Sequence, residues 1–385
     1  MENYNFLISV AIIILSTKFL GGISEKVNMP QVVGALVAGV ILGPSVLGFV
    51  TETDFISMTS EIGVILLMFM AGLDTDMDEI KQNSVSLLVI AGFGVIVPLI
   101  GGFVAYYYYF NVDSSDFNQI LQAVFMGVIL TATSVSITVE ALREMGKLNG
   151  RVGSAILGAA VIDDIIGIII LTIVTSLKDS SVSIAFIFFK VIGYCILMAI
   201  IAVGIKKMSS FIDLIKDKRR VSIYVFASCM IIAYVSEEFF GIADITGAYL
   251  LGLFLSKLEV KPDIAKKMTV PAYLFFSPIF FASIGIKTEI SGMTTNLLIF
   301  SLLILVIAIL SKVIGCSIGA RLCKYTPSES FHIGIGMISR GEVALIVAQK
   351  GYNLGLLHSA LFSPVVLVVI VTTMVTPILL KKFMK

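Results

Sequence analysis

Apolar stretches of about twenty residues follow one another along this chain with only short polar joints between them. A hydrocarbon core about 30 Å thick takes roughly 20 apolar residues to cross as a helix, and every backbone polar group inside it must be satisfied within the segment. With 58% hydrophobic side chains, 14% charged and a mean hydropathy of +1.03 over 385 residues, an ordinary soluble domain is excluded. The chain reads as an all-α polytopic membrane protein of about thirteen transmembrane helices, near 5–25, 30–50, 57–75, 84–108, 119–143, 151–177, 182–205, 221–238, 241–257, 268–287, 295–321, 328–350 and 357–380.

The N-terminal segment carries Glu2 where a signal peptide wants a base and has no small-x-small cleavage site, so it is read as the first span. Cys195, Cys229, Cys316 and Cys323 are scattered, with no C-x-x-C pair to signal a metal or disulfide framework. Net charge is only +1, yet 20 of the 27 Lys and Arg fall in loops after odd-numbered spans or in the C-terminal tail. Lys178, Lys287 and Lys350 lie on the other side, and Lys18, Lys190, Lys312 and Arg340 lie inside spans. The positive-inside rule then sets the N-terminus outside and the C-terminus in the cytoplasm. No cytosolic nucleotide-binding domain is expected after Lys382, and nothing points to nucleic acid.

The sequence also repeats itself. "GALVAGVILG" from Gly34 resembles "GAYLLGLFLS" from Gly247, and "AGLDTDMDEI" from Ala71 resembles "IGIKTEISGM" from Ile284, both 213 residues apart. That offset spans an odd number of crossings, so the copies run in opposite directions, as in transporters built from inverted-topology repeats. Such repeats place a binding site near the midplane where a helix in each half is interrupted. The candidate interruptions are Val128–Leu142, with Thr131, Thr133, Ser134 and Ser136 able to bond released carbonyls, and Gly334–Val347, where Gly334, Gly336 and Gly341 favour unwinding and Ser339 is a supporting group at the break. Two continuous helices with hydroxyls bonded to their own backbone are the plainer alternative.

Charge inside the hydrocarbon is expensive and marks function. "AAVIDDIIGIII" puts Asp163 and Asp164 side by side in an apolar span. Adjacent helical residues point about 100° apart, so the two carboxylates need separate environments. Lys312, deep in the eleventh span, is the natural counter-charge for one of them, which leaves the other available to a cation that comes and goes. Arg340 and Glu342 at the second interruption are expected to form a structural ion pair, with each other or with Glu140. His332 and His358 read as interfacial residues.

These motifs resemble the monovalent cation/proton antiporters, in particular the NapA-like sodium/proton exchangers of their second branch. The likeness rests on "VIDDIIG" (Val161–Gly167), "TATSVS" (Thr131–Ser136), "SKVIG" (Ser311–Gly315), "ISRGE" (Ile338–Glu342) and "MPQVVGALVAGVILGPS" (Met29–Ser45). It implies two crossed broken helices and a homodimer working by elevator-type alternating access in the cytoplasmic membrane of a bacterial cell. Residues 1–83 and 221–290 would form the dimerisation domain, 84–180 and 291–385 the ion-transporting core, and 181–220 the linker. It further implies Asp164 as the ion-binding carboxylate, Asp163 as the partner of Lys312, and Na+ at Asp164 close to Thr133, with Li+ or K+ as the alternative cations and no cofactor. Proton and cation would compete for one carboxylate, and Lys312 either carries a second proton or braces the core. An intramembrane aspartyl protease needs its aspartates on different helices, and a channel concentrates polar groups around a symmetry axis, so both fit less well.

Overall fold

The computed structural model describes residues 5–27, 29–178, 184–214, 218–287 and 294–384. The first half contains α1 (Asn5–Lys26), α2 (Gln31–Leu42), α3 (Asp54–Asp74), a short α4 (Met77–Gln82), α5 (Ser84–Tyr109), α6 (Phe117–Thr131), α7 (Val135–Glu144) and α8 (Arg151–Lys178). After α9 (Ile184–Leu214), the second half contains α10 (Lys218–Phe240), α11 (Asp244–Leu255), α12 (Lys261–Pro271), α13 (Ser277–Ile286), α14 (Thr295–Leu322), α15 (Pro327–Gly336), α16 (Glu342–Asn353) and α17 (Phe362–Phe383). Among the described residues, ten helical segments are long and apolar enough to cross a membrane, while α2 and α11 are apolar but only 12 residues each.

Several boundaries differ from the sequence reading, for local reasons. The segment expected at 30–50 leaves the helix at Leu42: Gly43 is extended (ψ 176°) because Pro44 follows it, and a proline disfavours helical geometry in the residue before it. The remainder folds back, with the Val50 amide donating to the Leu42 carbonyl at 3.0 Å. The segment expected at 268–287 begins at Lys261 and widens into one π-turn at Ala272–Phe276, between Pro271 and Pro278. Both interruptions foreseen in the sequence are real. α6 stops at Thr131 and α7 starts at Val135, and α15 stops at Gly336 with α16 starting at Glu342.

The inverted repeat is visible in the packing. A Cβ on Gly39 of α2 would sit 2.1 Å from the Ala282 carbonyl of α13, and a Cβ on Gly252 of α11 would sit 2.1 Å from the Phe69 carbonyl of α3. All four positions correspond through the 213-residue offset. The converse contacts correspond too: Gly285 packs on Leu36 and Val40, and Gly72 on Tyr249 and Leu253. Without water to drive helices together, close backbone approach supplies dispersion energy, which is why glycine is required at these four places. The equivalent long helices α5 and α14 lie against each other, with Gly315 of α14 on the Phe93 carbonyl of α5.

Two apolar clusters flank the helix breaks. One contains Ile137, Leu142, Ile156, Ile333 and Met337, and the other Phe125, Ile129, Ala344, Val347 and Val369. The breaks therefore sit between two packed layers. Leu15 and Phe19 of α1, Phe189 and Ile200 of α9 and Ile231 of α10 point outward, a surface suited to lipid.

Candidate functional site

The two breaks meet. Ala132 (φ −57°, ψ 135°) and Ser134 (φ −95°, ψ 107°) carry the chain from α6 to α7 in extended form. The Ser134 amide donates to the Ser339 carbonyl at 2.8 Å, and Thr138 Oγ1 donates to the Gly336 carbonyl at 2.8 Å. Backbone groups released by one break are thus taken up by the other, as membrane burial demands. Thr131 bonds back to the Val128 carbonyl at 2.8 Å. Gly341 is the glycine the crossing needs, since a Cβ there would lie 2.5 Å from Ser134 Oγ. Gly334 and Gly336, expected to unwind, stay helical in α15 instead; a Cβ on Gly334 would meet the Val313 carbonyl of α14 at 2.7 Å, so its service is close packing.

Beside the crossing, α8 presents Asp163 and Asp164, which are 2% and 8% exposed. Lys312 Nζ, fully buried on α14, lies 3.0 and 3.1 Å from the two carboxylate oxygens of Asp163, and Thr133 Oγ1 donates to Oδ2 at 2.7 Å. Asp163 is therefore the aspartate that takes the lysine. Asp164 points elsewhere and accepts from Thr246 Oγ1 of α11 at 3.3 Å. Both aspartates line a cavity of about 350 Å³ together with Val128, Thr131, Ala132, Gly167, Lys190, Glu237, Gly241, Val347 and Lys350. Its walls come from α6, α8, α9, the α10–α11 turn and α16.

Arg340 bonds backbone carbonyls. Its guanidinium, fully buried, donates to the Ile338 carbonyl at 2.6 Å and to the Ala308 carbonyl of α14 at 3.1 Å, while Thr373 of α17 donates to the Arg340 carbonyl. Glu140 is engaged by Tyr273 Oη at 2.9 Å, so the proposed Arg340–Glu140 pairing does not occur. The reason is positional: Arg340 follows the C-terminal end of α15, where exposed carbonyls attract a cation, and the nearest acceptors are backbone. Glu342 starts α16, but its side chain lies outside the described residues.

On the far side of the crossing, α7 is tied to α2, α3 and the Pro271–Phe276 segment. Glu144 accepts the Gln31 and Val32 amides at the start of α2 (2.6 and 3.2 Å), and Arg143 lies 3.5 Å from Asp74 and 5.0 Å from the Tyr273 ring centroid. Lys18, Glu140, Glu144 and Tyr273 line a small cavity of about 50 Å³ there. Lys18 and Lys190, both inside spans, each line one of these cavities. Sequence reasoning did not find Thr246, Tyr273 or Thr373, because a hydroxyl in a membrane helix usually bonds its own backbone and carries no distinguishing signal.

A helical membrane bundle in which two broken helices cross beside buried acids and bases has the architecture of an ion-coupled secondary transporter. The chain belongs to the sodium/hydrogen exchanger family, whose transmembrane region matches residues 11–385. It is 40% identical to the Na(+)/H(+)-K(+) antiporter GerN of Bacillus cereus over 98% of this chain and 96% of that one. It is 32% identical to a Na(+)/H(+) antiporter of Enterococcus hirae over 98% and 97% of the two chains. The structure of the sodium proton antiporter MjNhaP1 from Methanocaldococcus jannaschii superposes with a TM-score of 0.75 at 16% identity, covering 98% of this chain and 96% of that one, so the fold is shared.

Proposed function

We propose that this chain exchanges Na+ for protons across a cell membrane, with Asp164 as the carboxylate on which the two ions alternate. The observation that supports this most directly is the division of labour between neighbours: Asp163 is held by Lys312 and Thr133, whereas Asp164 turns to the cavity wall and accepts from the Thr246 hydroxyl. Protons and small hard cations both seek carboxylate oxygens, so occupation by one excludes the other. If the site changes sides only when one of them is bound, competition alone produces exchange.

In this reading residues 84–180 and 291–385 move as the transporting core against 1–83 and 221–290, which hold a second copy of the chain, with 181–220 as the linker. The thirteen crossings count each broken pair once and include the short α2 and α11. With the N-terminus outside, the large cavity faces outward and the α7–α2 contacts close the cytoplasmic side. Backbone carbonyls at the breaks and Thr133 lie close to the bound Na+, and Arg340 satisfies the ends of the broken helices. Exchange is electrogenic when Lys312 carries a second proton. The reading needs no cofactor.

Purified protein in liposomes, driven in turn by Na+, Li+ and K+ gradients, tests coupling and selectivity together. Saturable proton movement with Na+ is expected. Potassium is the second candidate, since the similar B. cereus protein is named for K+ as well. Flux without proton coupling would overturn the proposal.

A further inference from the structure

Building on that antiport reading, we propose that Thr246 is a cation ligand contributed from across the seam between the two bundles, and that it serves the site only while Asp164 faces the large cavity. The hydroxyl would share the cation with Asp164 on that side and be left behind when the core carries Asp164 to the other.

The geometry supports a ligand rather than a filler. Thr246 is 1% exposed and its Oγ1 reaches Asp164 Oδ2 at 3.3 Å, across 82 residues of chain. A hydroxyl has one proton and two lone pairs and can rotate. It therefore donates to an ionised Asp164, accepts from a protonated one, and turns a lone pair toward a cation bound there. Hard cations collect several oxygens, and a neutral oxygen adds to the set without adding charge that a competing proton would have to offset.

The hydroxyl is also well positioned. It sits in the first turn of α11, where the Thr246 amide bonds the Ala243 carbonyl at 2.9 Å and Glu237 accepts the Asp244 amide. Further along, α11 is fixed to α3 by the Gly252–Phe69 and Gly72–Tyr249 contacts, and Tyr249 Oη meets Thr75 Oγ1 at 3.4 Å. α8 and α11 thus lie on opposite sides of the seam, and this side-chain bond, or an ion that replaces it, links the state of one to the other.

The repeat supplies an independent reason for one-sidedness. The residue related to Thr246 by the 213-residue offset is Val33 of α2, also buried. Valine has the shape of threonine with a methyl in place of the hydroxyl. Two halves that match in backbone and in their packing glycines therefore differ at this position by a single oxygen, and only the half facing the large cavity has it.

The test compares Thr246→Val and Thr246→Ser with the unchanged protein in right-side-out and everted membrane vesicles, alongside Asp164→Asn. Valine keeps the volume, so the variant should elute and melt like the parent. We expect Thr246→Val to raise the KM for Na+ about tenfold on the cavity side and by less than about twofold on the other, to alter the ratio of Li+ to Na+ KM values, and Thr246→Ser to restore both. An unchanged KM, or the same change on both sides, overturns the role of Thr246. If the parent shows no cation-coupled proton movement, the antiport reading itself falls. If the parent is active and Asp164→Asn is not, that reading stands whatever Thr246→Val does.

Discussion

At the residue scale the costliest groups are Asp163, Lys312 and Arg340, all buried in the helical bundle. Removing one member of a buried ion pair leaves the other uncompensated and typically costs about 3–5 kcal/mol, whereas removing both is far milder. Lys312→Ala should therefore lower the melting temperature in detergent substantially, and Asp163→Asn combined with Lys312→Met should recover most of the loss. Equal melting of the single and double variants would show that the pair is not structural. Asp164→Asn should behave oppositely: the folded protein stays as stable as the parent while Na+-dependent proton movement in proteoliposomes disappears. The aspartates were legible from the sequence because charge in an apolar segment stands out. Arg340 was legible as costly but not in its partners, since carbonyls of Ile338 and Ala308 carry no residue-type signal.

Among the elements, the broken helices and the glycine-packed pairs set how closely the helices approach. A Cβ at Gly39 or Gly252 would stand 2.1 Å from a carbonyl oxygen, so the helices must separate to admit it. Overpacking of this kind costs about 1–3 kcal/mol, and because the two sites are related by the repeat, Gly39→Ala and Gly252→Ala should destabilise by similar amounts in thermal unfolding. Gly22→Ala in α1, where nothing lies within 4 Å, is the matched control and should be neutral. A large asymmetry between the two sites would argue against structural equivalence of the halves. The interruptions were readable from small and hydroxyl-bearing residues in mid-span. Their limits were not, because Gly334 and Gly336 stay helical and only Gly341 is required at the crossing.

For the whole molecule, the decisive property is which face reaches the aspartates. Gly167 lines the large cavity with nothing within 4 Å of a Cβ, whereas Ala155, on the same helix, is 1% exposed. In a background with the exposed Cys195 replaced, Gly167→Cys should react with a membrane-impermeant thiol reagent added outside, and Ala155→Cys should not react from that side. Labelling of Gly167→Cys from the cytoplasmic side alone would reverse the orientation. Electrogenic exchange makes a further demand: an inside-negative potential should accelerate Na+ efflux from vesicles, and indifference to potential would remove the second proton from Lys312.

Membrane insertion, the sequence of apolar segments, the repeat and the costly charges were determined by the sequence alone, because each depends on local composition or on periodicity read along the chain. The tertiary structure decided which aspartate takes Lys312, 149 residues from Asp163, and that Thr246 reaches Asp164. It also decided that Arg340 turns to backbone and that α7 closes against α2. In a low-dielectric interior a polar group bonds whichever partner the packing of distant helices brings within about 3 Å, and that proximity leaves no mark on either residue's neighbours in the chain.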